Sequence, residues 1–192
     1  MLSNNFRPTY HFFNNELSDN FCSRVEKHIK TIELNDATVY GNLRETELKT
    51  DIRRAKVYLY DFINAKDGIE REIALEFFRI CNVVNRDYQF VLNDDNFTIQ
   101  LTYYKQNDNG TYDWHCDDNF LARGFYRKLS MAAIIKKSDE GGEFDLSGGC
   151  PDFSQEVGSI IVFPSFIEHK VYPVTKGERI SIVVWFYGPE WK

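Results

Sequence analysis

Two histidines and an aspartate have the types and the spacing of a metal site. His115 and Asp117 lie two residues apart in a segment that reads as a strand, and His169 follows a separate apolar run. Side chains two apart on a strand project from the same face, so His115 and Asp117 can point at one ion. With one more histidine they complete the two-histidine, one-carboxylate set that caps one face of Fe(II) and leaves positions open. The set predicts an enzyme.

Strand parity decides which neighbours can join this set. Asp118 would face away from His115 if the strand is regular through this point, whereas Asp113 shares the parity but lies earlier in the strand. We therefore assign Asp113 to the surroundings of the site or to the surface. The thiol of Cys116 should point to the opposite face, which argues against a role as fourth ligand. A satisfied core histidine is the alternative for His169.

Arg179 and Ser181 have the spacing of an anion-binding pair. They lie two apart at the start of an apolar strand that continues through Val183 and Trp185. A buried arginine is costly unless it meets an anion, and a guanidinium binds a carboxylate through two parallel hydrogen bonds. Ser181 can add a hydroxyl to the same carboxylate. The alternative is a surface ion pair between Arg179 and Glu178.

The elements that must position these residues change character along the chain. Helical periodicity predicts helices over 18–32, with Ser18 as N-cap, and over 69–84, while 55–61 alternates as a strand. Later segments read as short strands separated by turn residues, namely 88–92, 97–105, 111–117, 128–136, 143–146, 159–163, 168–173 and 179–187. This pattern predicts an α+β, mainly β fold: a double-stranded β-helix (jelly roll) of about eight strands with N-terminal helices packed on one sheet.

Length and composition favour a single folded domain over 1–192, with helical support over about 15–87 and a jelly-roll core over about 88–189. The chain has 192 residues, of which 43% are hydrophobic and 16% aromatic, which is typical of globular proteins. Its net charge of −6 argues against non-specific nucleic-acid binding. We interpret the local cluster of Arg123, Arg127 and Lys128 as solvated loop charge.

The start of the chain shows no signal-like segment, and no window is apolar enough to span a membrane. The four cysteines (Cys22, Cys81, Cys116 and Cys150) are scattered without a C-x-x-C pair. We expect a soluble, cytoplasmic protein with free thiols and no membrane partner. The sequence gives no indication of oligomeric state.

An ordered series of motifs resembles the 2-oxoglutarate- and Fe(II)-dependent dioxygenases of the prolyl 4-hydroxylase type. The resemblance covers about residues 98–189 and is specific in its order and spacing, with a weaker likeness in the N-terminal helices and in 53–57. The motifs are Tyr104, Gly110-Thr111-Tyr112-Asp113-Trp114-His115-Cys116-Asp117, Arg127-Lys128-Leu129-Ser130, Gly141-Gly142-Glu143-Phe144, Gly158 to Ser165, His169, and Pro173 to Phe186 with Arg179 and Ser181.

The resemblance implies a role for each matching position. His115, Asp117 and His169 would bind Fe(II), and Arg179 with Ser181 would hold the distal carboxylate of 2-oxoglutarate. Tyr104 occupies the tyrosine position that faces this cosubstrate, with Tyr103 as the neighbouring alternative because the segment up to His115 is slightly longer than usual. O2 and ascorbate are further cofactors that the resemblance implies.

The implied activity is hydroxylation of a prolyl residue in a peptide or protein, with succinate and CO2 as coproducts. Three other substrates stay open under the same chemistry: a free amino acid, another small molecule, or an alkylated nucleobase, the last disfavoured by the acidic charge. A non-enzymatic jelly-roll module that binds a metal such as zinc is the alternative from another class. Loops over 36–52 and 118–127 are the candidates for gripping the substrate.

Overall fold

A computed structural model of the protein describes residues 9–40, 46–93, 97–118, 120–121 and 125–190. The two α-helices are α1 (Asp19–Ile29) and α2 (Gly68–Tyr88). The strands are β1 (His11–Phe13), β2 (Asn35–Asp36), β3 (Val39–Tyr40), β4 (Thr46–Glu47), β5 (Arg53–Arg54), β6 (Lys56–Asp61), β7 (Phe97–Lys105), β8 (Thr111–His115), β9 (Phe120–Leu121), β10 (Phe125–Lys136), β11 (Glu140–Gly141), β12 (Phe144–Leu146), β13 (Ile160–Pro164), β14 (His169–Val171), β15 (Val174–Lys176) and β16 (Glu178–Gly188). Parts of the predicted loops 36–52 and 118–127, including Arg123, lie outside the described residues.

Two antiparallel sheets form the body of the molecule. The large sheet has the order β1-β13-β10-β16-β7-β6-β2, and β9 pairs with the first residues of β10. The small sheet has the order β12-β14-β8-β5. Two further pairs, β3 with β4 and β11 with β15, are short ladders. The mainly β, α+β jelly-roll architecture predicted from the sequence is confirmed.

The helices cover one face of the large sheet, as predicted. Apolar residues of α1 and α2 form one continuous core with the side chains that alternate along one face of β7, β10 and β16. The opposite face of these strands looks toward the small sheet and contributes to a second, smaller core. Because strand side chains alternate, one sheet can support the helices and line an internal cavity at the same time.

Local hydrogen bonds explain where the helices begin and end. Ser18 caps α1 by accepting a hydrogen bond from the backbone N–H of Phe21, as its sequence position suggested. The predicted strand 88–92 is wrong, because α2 continues to Tyr88. Gln89 then closes the helix in the left-handed conformation, and the Asn85 amide bonds both the N–H and the C=O of Phe90.

Most other predicted strands agree with the structure to within a few residues, but 111–117 is too long. The strand β8 ends at His115, so Cys116 and Asp117 lie beyond its ladder. The strand β5 lies in the segment 53–57, which the family resemblance indicated as a strand, whereas the short strands β1 and β2 were not predicted, since so few residues show no periodicity. Neither helix of the described ranges combines the length and the hydrophobicity that a membrane span needs.

Candidate active site

The small sheet brings the two histidines of the predicted metal set together. His115 ends β8 and lies opposite His169, the first residue of β14, in the antiparallel register. Asp117 lies just beyond β8, where its backbone N–H donates to the carbonyl of Ser165 at 2.8 Å. One potential ligand atom from each of the three side chains lies within 4.8 Å of the others. Asp117 therefore reaches the pair by a backbone anchor and not by strand parity.

Backbone carbonyls fix the tautomer of both histidines. The Nδ1 of His115 is 2.8 Å from the carbonyl of Asp113, and the Nδ1 of His169 is 3.0 Å from the carbonyl of Ile167. A carbonyl can only accept a hydrogen bond, so each Nδ1 carries the proton and each Nε2 keeps a free lone pair. Both Nε2 atoms face Asp117, at 3.7 Å from Oδ1 for His115 and 3.4 Å from Oδ2 for His169.

Two buried serines hold the Asp117 carboxylate. The Ser130 hydroxyl donates to Oδ2 of Asp117 at 2.9 Å, and the Ser165 hydroxyl lies 2.9 Å from the Ser130 oxygen. Since the Ser130 proton is directed at Asp117, the Ser165 hydroxyl donates to Ser130. This relay occupies Oδ2 and leaves Oδ1 with free acceptor capacity, which is the support that metal-binding carboxylates require.

The protonation states are those of metal ligands. Burial and the neighbouring His169 lower the pKa of His115 to about 3, which keeps the imidazole neutral. Burial raises the pKa of the Asp117 carboxyl, but the electrostatic field of its buried neighbours, among them the Arg127 guanidinium, outweighs burial and keeps the pKa of this carboxyl below its usual range. Two imidazole nitrogens and one carboxylate fit Fe(II), and this donor set can also hold Zn²⁺.

A cavity of about 170 Å³ extends from the three candidate ligands to the predicted anion-binding pair. Arg179 is only 3% exposed, and its Nη1 donates to the Ser181 hydroxyl at 3.0 Å. Tyr104 lies opposite Arg179 in the register of β7 and β16, with its ring centre 5.4 Å from the guanidinium carbon. Arg179 forms no ion pair with any described residue and feels only the longer-range attraction of the exposed Glu143, so this end of the cavity has a buried cation without a carboxylate in direct contact.

The alternative partner of Arg179 lies on the other side of the strand. Glu178 accepts a hydrogen bond from the Tyr103 hydroxyl and lies 3.2 Å from Nζ of Lys136. Both contacts are at the helix-covered face, and they lower the pKa of Glu178. Tyr103 likewise belongs to the helix-side core, whereas Tyr104 lines the cavity.

One arginine of the predicted solvated cluster lies in the cavity instead. The Arg127 guanidinium stacks on the Trp185 ring at 3.8 Å, and its Nε has no hydrogen-bond partner among the described residues. Lys128 is also buried, at 4% exposure. The interpretation of these two residues as solvated loop charge is wrong, because β10 begins at Phe125 and takes both into the sheet.

Arg53 is a second cavity residue that sequence reasoning missed. Its short strand β5 pairs with β8 so that Arg53 lies opposite Tyr112, with the guanidinium carbon 4.4 Å from the ring centre. Tyr112 in turn stacks on the His115 imidazole at 3.4 Å. The sequence signal for Arg53 was its place in the segment 53–57. The family resemblance includes this segment but assigns no role to Arg53.

The remaining candidates near the histidines point elsewhere. The Cys116 thiol donates to the carbonyl of Phe166 at 3.3 Å, and burial together with nearby carboxylates raises its pKa to about 11. Asp113 is exposed and pairs with Lys170 at 3.6 Å, although its carbonyl orients His115. Neither Asp113 nor Asp118 belongs to the group of three ligand atoms.

Comparisons with known proteins agree with this geometry. Residues 99–187 match the family model of the 2OG-Fe(II) oxygenase superfamily. A PKHD-type hydroxylase from Gloeothece citriformis is 31% identical over 80 residues, which cover 39% of this chain and 36% of that protein. The alignment thus spans little more than a third of that curated relative's length.

Solved structures extend the likeness of fold to nearly the whole chain. A prolyl-4-hydroxylase from Pseudomonas putida superposes with a TM-score of 0.69 at 18% identity, covering 93% of this chain and 91% of that one. A prolyl hydroxylase from Trichoplax adhaerens, solved with a hypoxia inducible factor peptide fragment, gives 0.68 at 15% identity over 95% and 84% of the two chains.

Proposed function

We propose that this chain, whose residues 99–187 match the 2OG-Fe(II) oxygenase superfamily, is an Fe(II)- and 2-oxoglutarate-dependent dioxygenase that hydroxylates a prolyl residue in a peptide or protein. One observation carries the proposal. A single cavity has a two-histidine, one-carboxylate set at one end and a buried arginine without a carboxylate partner among the described residues at the other. A zinc site alone would need no such arginine.

The three candidate ligands would hold the metal through Nε2 of His115, Nε2 of His169 and the carboxylate of Asp117. Bound Fe(II) would supply O2 activation coupled to the oxidative decarboxylation of 2-oxoglutarate to succinate and CO2. The protein contributes preorganisation, because the carbonyls of Asp113 and Ile167 fix both imidazoles before any metal arrives. The Ser130 hydroxyl holds one carboxylate oxygen, which favours binding through the other.

Arg179 would bind the distal carboxylate of 2-oxoglutarate. A guanidinium that forms no ion pair with the described residues can offer two parallel N–H donors to a carboxylate. Ser181 accepts from Nη1 of Arg179, so its own hydroxyl proton stays available for the same carboxylate. Tyr104 packs against the guanidinium and supplies a phenol at this end of the cavity.

Apolar side chains on the inner faces of both sheets would exclude bulk water. Phe163 meets the ring of His169 edge-on at 4.7 Å, and Val183 and Trp185 line the cavity between the ligands and Arg179. Water exclusion strengthens the ion pair to Arg179 and protects reactive species from quenching. The same strands that bury these residues therefore serve the chemistry.

The names of the similar proteins support the prolyl substrate. The relative from Gloeothece citriformis is a hydroxylase, and both structural neighbours are prolyl hydroxylases, one of them solved with a peptide. A peptide chain also suits the stacked Arg127 and Trp185, which offer a cation and an aromatic face beside the candidate ligands.

Succinate formation tests the proposal. The purified protein with Fe(II), 2-oxoglutarate and ascorbate should release succinate faster when a proline-containing peptide is present, and the peptide should gain one oxygen by mass spectrometry. His169→Ala should remove both signals. Free amino acids and methylated oligonucleotides are tested in the same assay as alternative substrates. Stimulation by one of them, and by no peptide, would reassign the substrate, and absence of 2-oxoglutarate binding would favour the zinc-type module.

A further inference from the structure

We infer that the cavity recognises a carboxylate on the substrate itself, and that Arg53 is the residue that binds it. The inference rests on the proposed function, because it places this carboxylate beside the reacting centre. It goes further by naming a chemical class: the hydroxylated residue lies close to an acidic side chain or to a carboxyl terminus.

Arg53 is a buried cation that uses one of its five N–H donors with the described residues. It is 7% exposed, and its Nη1 donates to the carbonyl of Thr38 at 3.1 Å. Its Nε is buried without a hydrogen-bond partner among the described residues, and the side-chain hydrogen bond that Arg53 makes to these residues comes from Nη1 and not from Nη2. Nε and Nη2 together form the edge of a guanidinium that binds a carboxylate through two parallel hydrogen bonds.

The position of this free edge is set by packing against the metal site. The Arg53 guanidinium lies over the Tyr112 ring, and that ring stacks on His115, so one aromatic side chain separates the cation from a candidate ligand. Arg53, Tyr112 and His115 all line the same cavity. A substrate group held by Arg53 would therefore lie one stacked ring away from His115, close to the candidate metal site.

The charges in the cavity also favour the binding of an anion. With metal and cosubstrate bound, the charge of the divalent metal would cancel that of dianionic 2-oxoglutarate. The negative charge of Asp117 would cancel the positive charge of Arg179. Arg53 and Arg127 then remain as two cations, and the Nε of each lacks a partner among the described residues. Burying such groups is costly, and a substrate carboxylate would offset that cost. The chain as a whole has a charge of −6, so this positive potential is confined to the cavity.

Paired peptides test the inference. Capped peptides contain one proline and one aspartate, placed one or two residues to either side, and each has a twin with asparagine instead. Binding is measured on protein loaded with Mn(II) and 2-oxoglutarate, which cannot turn over. At least one aspartyl peptide should bind about tenfold more tightly than its twin, since hydrogen bonds between ionised groups exceed neutral ones by that order.

Two neighbouring arginines provide the matched variants. Arg53→Gln should reduce the preference for aspartate to parity, whereas Arg54→Gln should leave it unchanged. Arg54 also donates to backbone carbonyls, those of Asn109 and Thr50, but it does not line the cavity. As a measurement independent of variant folding, the Nε–H resonance of Arg53 in the wild-type protein should shift with the aspartyl peptide and not with its twin.

The outcomes separate this inference from the proposed function. If 2-oxoglutarate fails to bind the Mn(II) protein, the proposed function and the inference with it are wrong. If 2-oxoglutarate binds but no aspartyl peptide exceeds its twin, only the inference is overturned. A preference for aspartate that persists in Arg53→Gln would also overturn it.

Discussion

The strands β7, β10 and β16 have two buried faces with different chemistry. The helix-covered face is apolar along most of its length, with residues such as Met131 and Ile182 at 0% exposure. The inner face mixes apolar residues with buried polar ones, among them Ser130, Ser181 and Arg179. Residues that are adjacent in sequence thus lie in two buried environments of different polarity.

This difference separates stability from function. Apolar packing on the helix-covered face, which we call the outer face, is distributed over many contacts. Its loss lowers the free energy of unfolding. Polar groups on the inner face must each find a specific partner, and the structure supplies one for Asp117 but none among the described residues for the charge of Arg179. A buried cation without an anion is a feature that apolar packing does not explain.

Loss of a candidate ligand should have the largest effect on turnover. His169→Ala removes one of three donors, and succinate formation should fall by about three orders of magnitude or more, because all metal assistance is lost. The check is initial succinate rate together with bound iron per protein. Ile182→Val on the outer face is the control and should keep normal turnover. Retained turnover in His169→Ala would exclude this ligand set.

Loss of the arginine charge should come next. Arg179→Gln removes a charge-assisted contact of about 1.5–3 kcal/mol, so the KM for 2-oxoglutarate should rise by about 10- to 150-fold while metal binding persists. Steady-state kinetics and a metal titration measure the two quantities separately. An unchanged KM would mean that the cosubstrate binds elsewhere. The neighbouring Ile180→Val, on the outer face, should leave the KM unchanged.

Removal of the Ser130 hydroxyl should have a smaller effect. Ser130→Ala frees Oδ2 of Asp117, and we expect about tenfold weaker metal affinity, a typical cost of losing a hydrogen bond that orients a ligand. Ser159→Ala is the matched control, since Ser159 is equally buried but bonds Ser154 away from the site. Equal metal affinity of the two variants, measured by competition with a chelating dye, would contradict the positioning role of Ser130.

Truncation of the outer face should leave the chemistry intact. Met131 follows Ser130 directly but packs against the helices, so Met131→Ala should cost about 2–5 kcal/mol of unfolding free energy. Metal affinity and turnover per folded molecule should stay normal at temperatures where the variant is folded. Denaturant unfolding and a metal titration test both statements. A tenfold loss of metal affinity in Met131→Ala would show that the two faces are not independent.

Strand alternation is the part of this organisation that the sequence could predict. Arg179, Ser181 and Trp185 share parity in a long strand, and their common face follows from that spacing alone. Asp117 was chosen by the same rule, yet β8 ends before it and a backbone hydrogen bond to Ser165 brings it into place. The place of Asp117 beside the histidines was predicted, but its cause is this hydrogen bond and not strand alternation.

Residues on short or ambiguous segments could not be predicted. Arg53 belongs to a two-residue strand and reaches the cavity only through pairing with β8, a contact between segments distant in sequence. Arg127 was misread because neighbouring charges resemble a solvated loop until the start of β10 is known. The false strand at 88–92 arose because the Asn85 side chain and the left-handed Gln89 end α2 later than periodicity indicates.

The smallest expected effect is on the stability of the protein at acidic pH. It involves two glutamates at the edge of the outer face. Hydrogen bonds from Tyr103 and Lys136 lower the pKa of Glu178 below the ordinary glutamate value, and hydrogen bonds from Lys30 and Lys136 do the same for Glu26. A lowered folded pKa gives stability that is present above the unfolded glutamate pKa of about 4.3 and is lost as the pH falls through the lower folded value.

The free energy of unfolding should therefore decrease between about pH 5 and pH 3, by no more than about 1 kcal/mol for either carboxylate. Glu178→Gln should flatten part of this slope in denaturant titrations at several pH values. A slope that is unchanged in Glu178→Gln would show that the contacts of Glu178 with Tyr103 and Lys136 contribute nothing to acid sensitivity.

Calorimetric titration of 2-oxoglutarate into anaerobic protein tests most directly whether one cavity joins a metal site to an anion site. With Fe(II) present, wild-type protein should bind one equivalent, and without metal the affinity should fall because only the Arg179 end remains. His169→Ala with Fe(II) should behave like the metal-free protein. Binding that is absent, or identical with and without Fe(II), would contradict the account.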